Sequence, residues 1–521
     1  MSNDTENQQS VAYTEKPAES ENFDEAFKIE KPKYNDKFFA LFFVLVFVAF
    51  FIVAGIAINA ARETWSYQGG SIYHSSNTFS LNSNTAILFG FAVVIAVVLS
   101  FLILVFARLN AKLFIISGLI LNILLGLATG IYYLALHYWS AGIVFLVFTA
   151  ISALCYWRCR SRIPFSAIVL EISIDVMKRY KSTLVVSLCG ILLSGAFSAF
   201  FLMVVVGCYI KYSPDAGNPG CSETGGTCSR GSLIGALVFV FFAGYYITEV
   251  MKNVIHVTIA GIYGTWYYLA GSDQGEPKWP ALSSFKRAMT YCFGSICFGS
   301  LIVSILQMIR GLVQALRTQS FDNGDICAGC GFLILDLILG FLDWLVRYFN
   351  HYAYIFVALY GKPYIESAKN TFNLIRHKGM DALINDCFVN TSLQLYSLFV
   401  AYVVTLFSWF FLKYTKPEYN RNGSFNAPVM AFCFVVAMQI TRVSLAVIES
   451  GISTFFVALA NDPEVFQMTN RDRFDEIFRN YPQVLEKLMT KDAQVEQQQN
   501  YQQQQQYQGQ QQYQGQAPPQ Y

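Results

Sequence analysis

Charge is what this 521-residue chain has least of. Lys, Arg, Asp and Glu together make up 13% of it, against roughly 25% in an ordinary soluble domain. The 36 basic and 34 acidic residues leave a formal net charge of +2, which carries no information about nucleic-acid or acidic partners; no nucleic-acid partner is expected. Histidine is scarce as well, with five residues, and His137, His256, His351 and His377 are too scattered in sequence to predict a metal centre. No phosphate-binding glycine loop, G-x-S-x-G elbow or H-E-x-x-H pair occurs. The chain therefore reads as a non-enzyme that needs no cofactor. It has no nucleotide domain, which excludes an ATP-driven pump. The acidic head, 1–37, lacks the apolar core of a secretory signal, so the first apolar run is expected to act as a signal anchor. No internal repeat is visible that would locate a transport site by symmetry.

Long apolar runs are what the chain has instead. Hydrophobic residues are 54% of it, and ten runs stand out: 38–61, 86–107, 113–136, 141–157, 183–210, 232–255, 288–309, 331–349, 389–412 and 428–448. About 20 helical residues span a hydrocarbon core of roughly 30 Å. The runs are too long and too uniformly apolar for the alternating strands of a barrel. The fold class is therefore all-α: a polytopic helical membrane protein with about ten transmembrane helices. The run 331–349 is the weakest of them and admits a re-entrant or interfacial helix. Placing the N-terminus in the cytosol puts 15 Lys and Arg in inside loops and 8, Arg310 and Arg317 among them, in outside loops. The positive-inside rule then favours both termini in the cytosol.

This topology divides the chain into four parts: a disordered cytosolic head (1–37), a membrane domain (38–459), a cytosolic amphipathic segment (460–490) and a Gln-rich disordered tail (491–521). In the third part, Phe474, Ile477, Phe478 and Tyr481 fall at helical spacing,. The tail ends in Pro518-Pro519-Gln520-Tyr521, a PPxY ligand for a WW-domain ubiquitin ligase, or a chance product of a Pro-, Gln- and Tyr-biased composition,. Two further stretches, 165–182 and 362–387, read as helices too polar to span, lying at the interface or on the surface,.

Cys221 and Cys228 lie in a Gly- and Pro-rich outside loop and are candidates for a disulfide,. Cys327 and Cys330 read as an accessory disulfide or free thiols, because neither a zinc site nor a redox fold is supported around them,. Asn422-Gly-Ser is a candidate glycosylation acceptor in another outside loop, whereas Asn390-Thr-Ser lies too near the membrane,.

Intramembrane charges and aromatic rings supply the candidate site. Recognition of a quaternary ammonium relies on aromatic faces, sometimes balanced by a carboxylate. Glu249 lies one turn after Tyr245 and Tyr246, so the three could form part of a cation site; pairing of Glu249 with Lys252 is the alternative. Trp139 sits in an aromatic cluster with Tyr132, Tyr133 and Tyr138, where a plain interfacial belt is the competing reading,. Asp343 can pair with Arg347 four residues on, while Asp336 has no evident local partner and so joins the pathway candidates,. Arg442 has no close acidic neighbour in sequence. Gly294, Ser295, Gly299 and Ser300 form a small-residue stripe suited to close helix packing,.

Several strings are distinctive: YWSAGIVFLVF (138–148), RSRIP after the fourth run, GYYITEVMKNVIHVTIAGIYGTWYY (244–268), KRAMTYCFGSICFGSL (286–301), FNHYAYIFVALYGKPY (349–364), GMDALIND (379–386) and FFVALANDPEVF (455–466). Together they resemble the choline transporter-like family, and more narrowly its fungal "pH nine sensitive" branch. The resemblance runs from FDEAF (23–27) to about position 482, and the Gln-rich tail is outside the family pattern. It implies a ten-span protein of the plasma membrane with a transporter role, and leaves the fungal substrate open. The expected function is transport of choline or a related organic cation by alternating access among membrane lipids. A non-transporting interaction or signalling protein, or a lipid-handling protein, on the same fold are the alternatives.

Overall fold

The computed structural model describes residues 33–65, 83–158, 160, 163–212, 229–270, 276–378, 381–415 and 426–480. In chain order the helices are α1 (Lys37–Trp65), α2 (Ser83–Leu109), α3 (Ala111–Ala135), α4 (Trp139–Arg158), α5 (Ile163–Arg179), α6 (Ser182–Tyr212), α7 (Arg230–Leu269) and α8 (Pro280–Met289). They continue with α9 (Phe293–Asp322), α10 (Ile326–Tyr360), α11 (Tyr364–Lys378), α12 (Asp381–Thr415), α13 (Asn426–Asn461), α14 (Pro463–Thr469) and α15 (Arg471–Asn480). The fold is all-α, with no strand among the described residues. Among the described residues nine helices are long and apolar enough to cross a bilayer, and ten if α4 and α5, bent by 88° at the break between them, count together as one span.

Chain reversal at each crossing places the short helices α5, α8, α11, α14 and α15 on one face of the bundle, the face at which α1 begins. Helix α7 is the axis. Its 40 residues extend about 60 Å, twice the hydrocarbon thickness, and it packs against α1, α6, α8, α9, α10, α13 and α14. A second apolar cluster joins α2, α12 and α13 through Leu88, Ala92, Val400, Val404, Val429 and Ala437. Lipid tails are as apolar as leucine, so close packing and polar contacts, more than burial from water, hold such helices together. On α3 and α4 this takes the form of facing glycines: a Cβ at Gly142 would lie 3.0 Å from the Gly130 carbonyl oxygen.

Local chemistry sets the helix ends. The Asp325 carboxylate caps α10 by accepting from the Ala328 N–H at 3.1 Å,. Gly361, at φ +61°, ends that helix in the left-handed conformation that suits glycine,. Pro363 follows within two residues, and α11 begins at Tyr364,.

Several expectations are revised. The weak run 331–349 is the middle of the 35-residue helix α10, which removes the re-entrant alternative. Arg310 and Arg317, assigned to an outside loop, are helical residues of α9. Cys327 and Cys330 are free, exposed thiols in the first turns of α10,. The stretch 165–182 does not lie on the surface: α5 is buried along most of its length, among α2, α3, α12 and α13,. The stretch 362–387 is divided, because its second half already belongs to the long helix α12. In the C-terminal segment Phe474 is buried against Phe466, with ring centroids 6.3 Å apart,. Cys221, Cys228, Asn422, Tyr481 and the Pro518–Tyr521 motif lie outside the described residues.

Candidate functional site: a polar lattice between α7, α10 and α13

Helix α7 carries Glu249, Asn253 and His256 at intervals of four and three residues. One face of an otherwise apolar helix is therefore polar. Glu249 accepts from Arg347 Nη1 of α10 at 2.7 Å, and Arg347 Nε lies 3.1 Å from both oxygens of Asp343,,. The Glu249 and Asp343 side chains are only 10% and 13% exposed,. At that burial a carboxylate without a cation would be expensive, and Arg347 supplies the counter-charge to both,. Pairing with Lys252 is thereby replaced as the account of Glu249.

One turn further along, Asn253 Nδ2 donates to Ser300 Oγ of α9 at 2.9 Å and to the Tyr354 hydroxyl of α10 at 3.3 Å,. Below it, His256 stacks on His351 with ring centroids 4.2 Å apart. His256 Nε2 faces the His351 carbonyl oxygen at 3.0 Å, and its Nδ1 lies 2.7 Å from Ser450 Oγ of α13,. A carbonyl only accepts, so Nε2 carries the proton and Nδ1 accepts from the serine hydroxyl. His351 Nε2 lies 2.8 Å from Ser453 Oγ, one turn on along α13. Glu449, preceding Ser450, lies within electrostatic reach of Lys252 on α7 and of Arg442 on its own helix. Glu449, two turns from Arg442, is thus the acid nearest to it along α13.

The other predicted site residues are placed differently. Tyr246 is fully buried, bonds to the Cys297 carbonyl at 3.2 Å and meets Phe43 of α1 edge-on at 5.2 Å,,. Tyr245, half-buried, turns toward Gly311 on α9,. The adjacent phenols therefore diverge. Trp139 is 60% exposed at the start of α4 beside His137,, on a helix that packs on α3. Asp336, expected to lack a partner, accepts from Arg310 Nε at 2.9 Å, Gln314 Nε2 at 3.0 Å and Arg317 Nη1 at 2.8 Å, all on α9,,.

Two connections at the α5 face were not foreseen. Tyr268 of α7 and Tyr360 of α10 donate to the same Asp462 carboxylate oxygen at 2.7 and 2.8 Å, and the Tyr267 hydroxyl reaches the Asp462 carbonyl at 2.8 Å,,. Asp462 follows the end of α13, so three helix ends meet on one residue. Asp36, ahead of α1, accepts from Ser295 Oγ at 2.6 Å and from the Tyr364 N–H at 2.9 Å,. A Cβ on Gly294 would overlap the backbone carbonyls of Asn35 and Asp36, so the small-residue stripe of α9 receives the chain entering α1. The Tyr364 phenol donates to Asn350 Oδ1, and burial pushes it up to about 12.

Comparison with known proteins agrees with this architecture. Residues 143–464 match the family model described as plasma-membrane choline transporter. The chain is 66% identical to Protein PNS1 of Debaryomyces hansenii over 485 residues, 93% of this chain and 94% of that protein. It is 63% identical to Protein PNS1 of Candida albicans, over the same shares of the two chains. Identity to Protein PNS1 of Saccharomyces cerevisiae is 50%, over 89% of this chain and 87% of the relative. The matched segment takes in every helix of the polar lattice, α7, α9, α10 and α13, and the chain belongs to the choline transporter-like family,.

Proposed function

We propose that this protein carries choline or a related small organic cation across the plasma membrane by alternating access, with both termini cytosolic. The observation that carries the reading is the Glu249–Arg347–Asp343 arrangement: a buried carboxylate whose counter-ion comes from another helix,. A quaternary ammonium that replaced Arg347 beside Glu249 would leave Arg347 on Asp343 and free α10 from α7. Occupancy of the site would then bias helix packing, which is the differential interaction a conformational change requires. Tyr245, one turn from Glu249 and half-buried, supplies an aromatic face of the kind ammonium groups favour. The family model and its description support the substrate class. The excess of Lys and Arg in alternate loops supports the orientation,.

The test is uptake of labelled choline into vesicles containing only the purified protein, with empty vesicles as control. Saturable uptake abolished by excess unlabelled choline is the expected result. Vesicles that accumulate no more label than the empty ones, at several pH values and imposed potentials, would remove choline as the substrate.

A further inference from the structure

Two turns along α10 from the Asp343–Arg347 pair, α9 and α10 build a second charged group. Arg310, Gln314 and Arg317 follow one another at intervals of four and three residues, forming a single stripe on α9,. All three donate to Asp336 on α10,,. Two guanidinium groups against one carboxylate leave the cluster with a net charge of +1. Asp336 is spent as an acceptor, with its side chain 10% exposed, whereas Arg310 and Arg317 remain 38% and 29% exposed,. Arg310 uses only Nε, and among the described residues its two terminal nitrogens make no hydrogen bond; Arg317 uses only Nη1,. Gly340 allows the Arg310 guanidinium to lie against α10, since a Cβ there would stand 3.2 Å from Nη2.

The surroundings identify the medium. Ile309, Leu312 and Leu316 on α9, and Leu337, Ile338 and Phe341 on α10, are all exposed, so this surface faces acyl chains. The apolar run of α9 ends at Ile309, so the arginines follow it, toward the boundary between acyl chains and headgroups. A guanidinium half-exposed there is costly unless an anion or water meets it, and arginine's planar fork matches a phosphate bidentately.

We infer that Arg310 and Arg317, braced by Asp336, form a binding site for the phosphodiester of a membrane phospholipid in the leaflet opposite the α5 face. Asp336 orients the two arginines, and the unused N–H groups grip the phosphate.

The experiment uses the purified, delipidated full chain in detergent, with bound lipid counted by native mass spectrometry. The probes are phosphatidylglycerol, diacylglycerol with the same acyl chains, and inorganic phosphate. Retention of phosphatidylglycerol but not diacylglycerol, undiminished by excess inorganic phosphate, is expected. Removing both arginines alone would strand a buried carboxylate, so the informative variant is R310Q/R317Q/D336N, which removes the acid with its partners. It should unfold at the wild-type temperature yet bind phosphatidylglycerol about tenfold more weakly or worse. D336N, which keeps both arginines, should retain the lipid. Equal retention by the triple variant, equal binding of diacylglycerol, or loss of lipid from D336N would overturn the site. Displacement of the lipid by inorganic phosphate would assign it to a free anion instead.

Discussion

Arg347 on α10 reaches Glu249 on α7 at 2.7 Å while its Nε is shared between the two oxygens of Asp343,,. One cation therefore serves two buried acids on two helices, and the three residues respond differently to substitution. R347Q strands both carboxylates and should destabilise the protein by about 3–5 kcal/mol, visible as lost surface abundance and a lower unfolding temperature. E249Q leaves the Arg347–Asp343 pair intact and should fold at normal abundance. Similar abundance for R347Q and wild type would show that the triad is hydrated and structurally idle.

The α9 stripe predicts a contrast between two glycines. A methyl at Gly294 would overlap the carbonyls of Asn35 and Asp36, whereas one at Gly331 meets nothing within 4 Å. G294A should therefore cost about 1–3 kcal/mol by overpacking. G331A should be neutral or stabilising by about 0.5–1 kcal/mol through helix propensity. Thermal unfolding of the two variants in one detergent checks the difference, which vanishes if the chain entering α1 does not dock on α9.

Asp462 gathers hydroxyls from α7 and α10 at the end of α13,. D462A should cost about 1.5–3 kcal/mol for each charge-assisted bond lost. D462N, which keeps an acceptor oxygen, should cost distinctly less. Equal losses from the two variants would mean that side-chain volume, not the shared acceptor, matters at this position.

Alkaline stability should depend on Tyr364. Its phenol is raised from the ordinary 10.0 to about 12 by burial, so the folded state favours the neutral form. That contribution is complete below about pH 10 and disappears as pH rises through about 12,. The Cys292 thiol, raised by burial from 9.0 to about 11, adds a similar loss in a lower window. Unfolding temperatures of wild type and Y364F, measured across this range, should converge as pH rises. Parallel curves would show that the phenol titrates alike in both states.

The membrane architecture was legible because a bilayer imposes one simple demand, long uncharged helix, and the ten runs meet it without reference to one another. Local pairs were legible for a similar reason: Asp343 and Arg347 are four apart on one helix. Contacts between helices were not. Arg310 and Arg317 were read as loop residues because charge marks loops in a membrane protein, so the three donors to Asp336 could not be anticipated. His256 and His351 were weighed only as metal ligands; nothing in their separation shows that α7 and α10 stack the rings. A spacing signal existed, since Glu249, Asn253 and His256 share one helix face. The buried course of α5 was hidden by Glu171 and Asp175, whose acids meet Arg108 of α2 at 3.6 and 2.6 Å,. Those ion pairs let a helix with a charged edge pack inside the bundle.

The most direct measurement is the initial rate of labelled choline uptake by vesicles reconstituted with equal amounts of wild type or E249Q. If Glu249 is the acidic anchor of a cation pathway, the wild type takes up choline saturably and E249Q, folded and equally abundant, falls by about tenfold or more, the rate equivalent of losing roughly 1.4 kcal/mol of binding to the moving cation. Undiminished uptake by E249Q would contradict the account and leave the Glu249–Arg347 pair as a structural tie between α7 and α10.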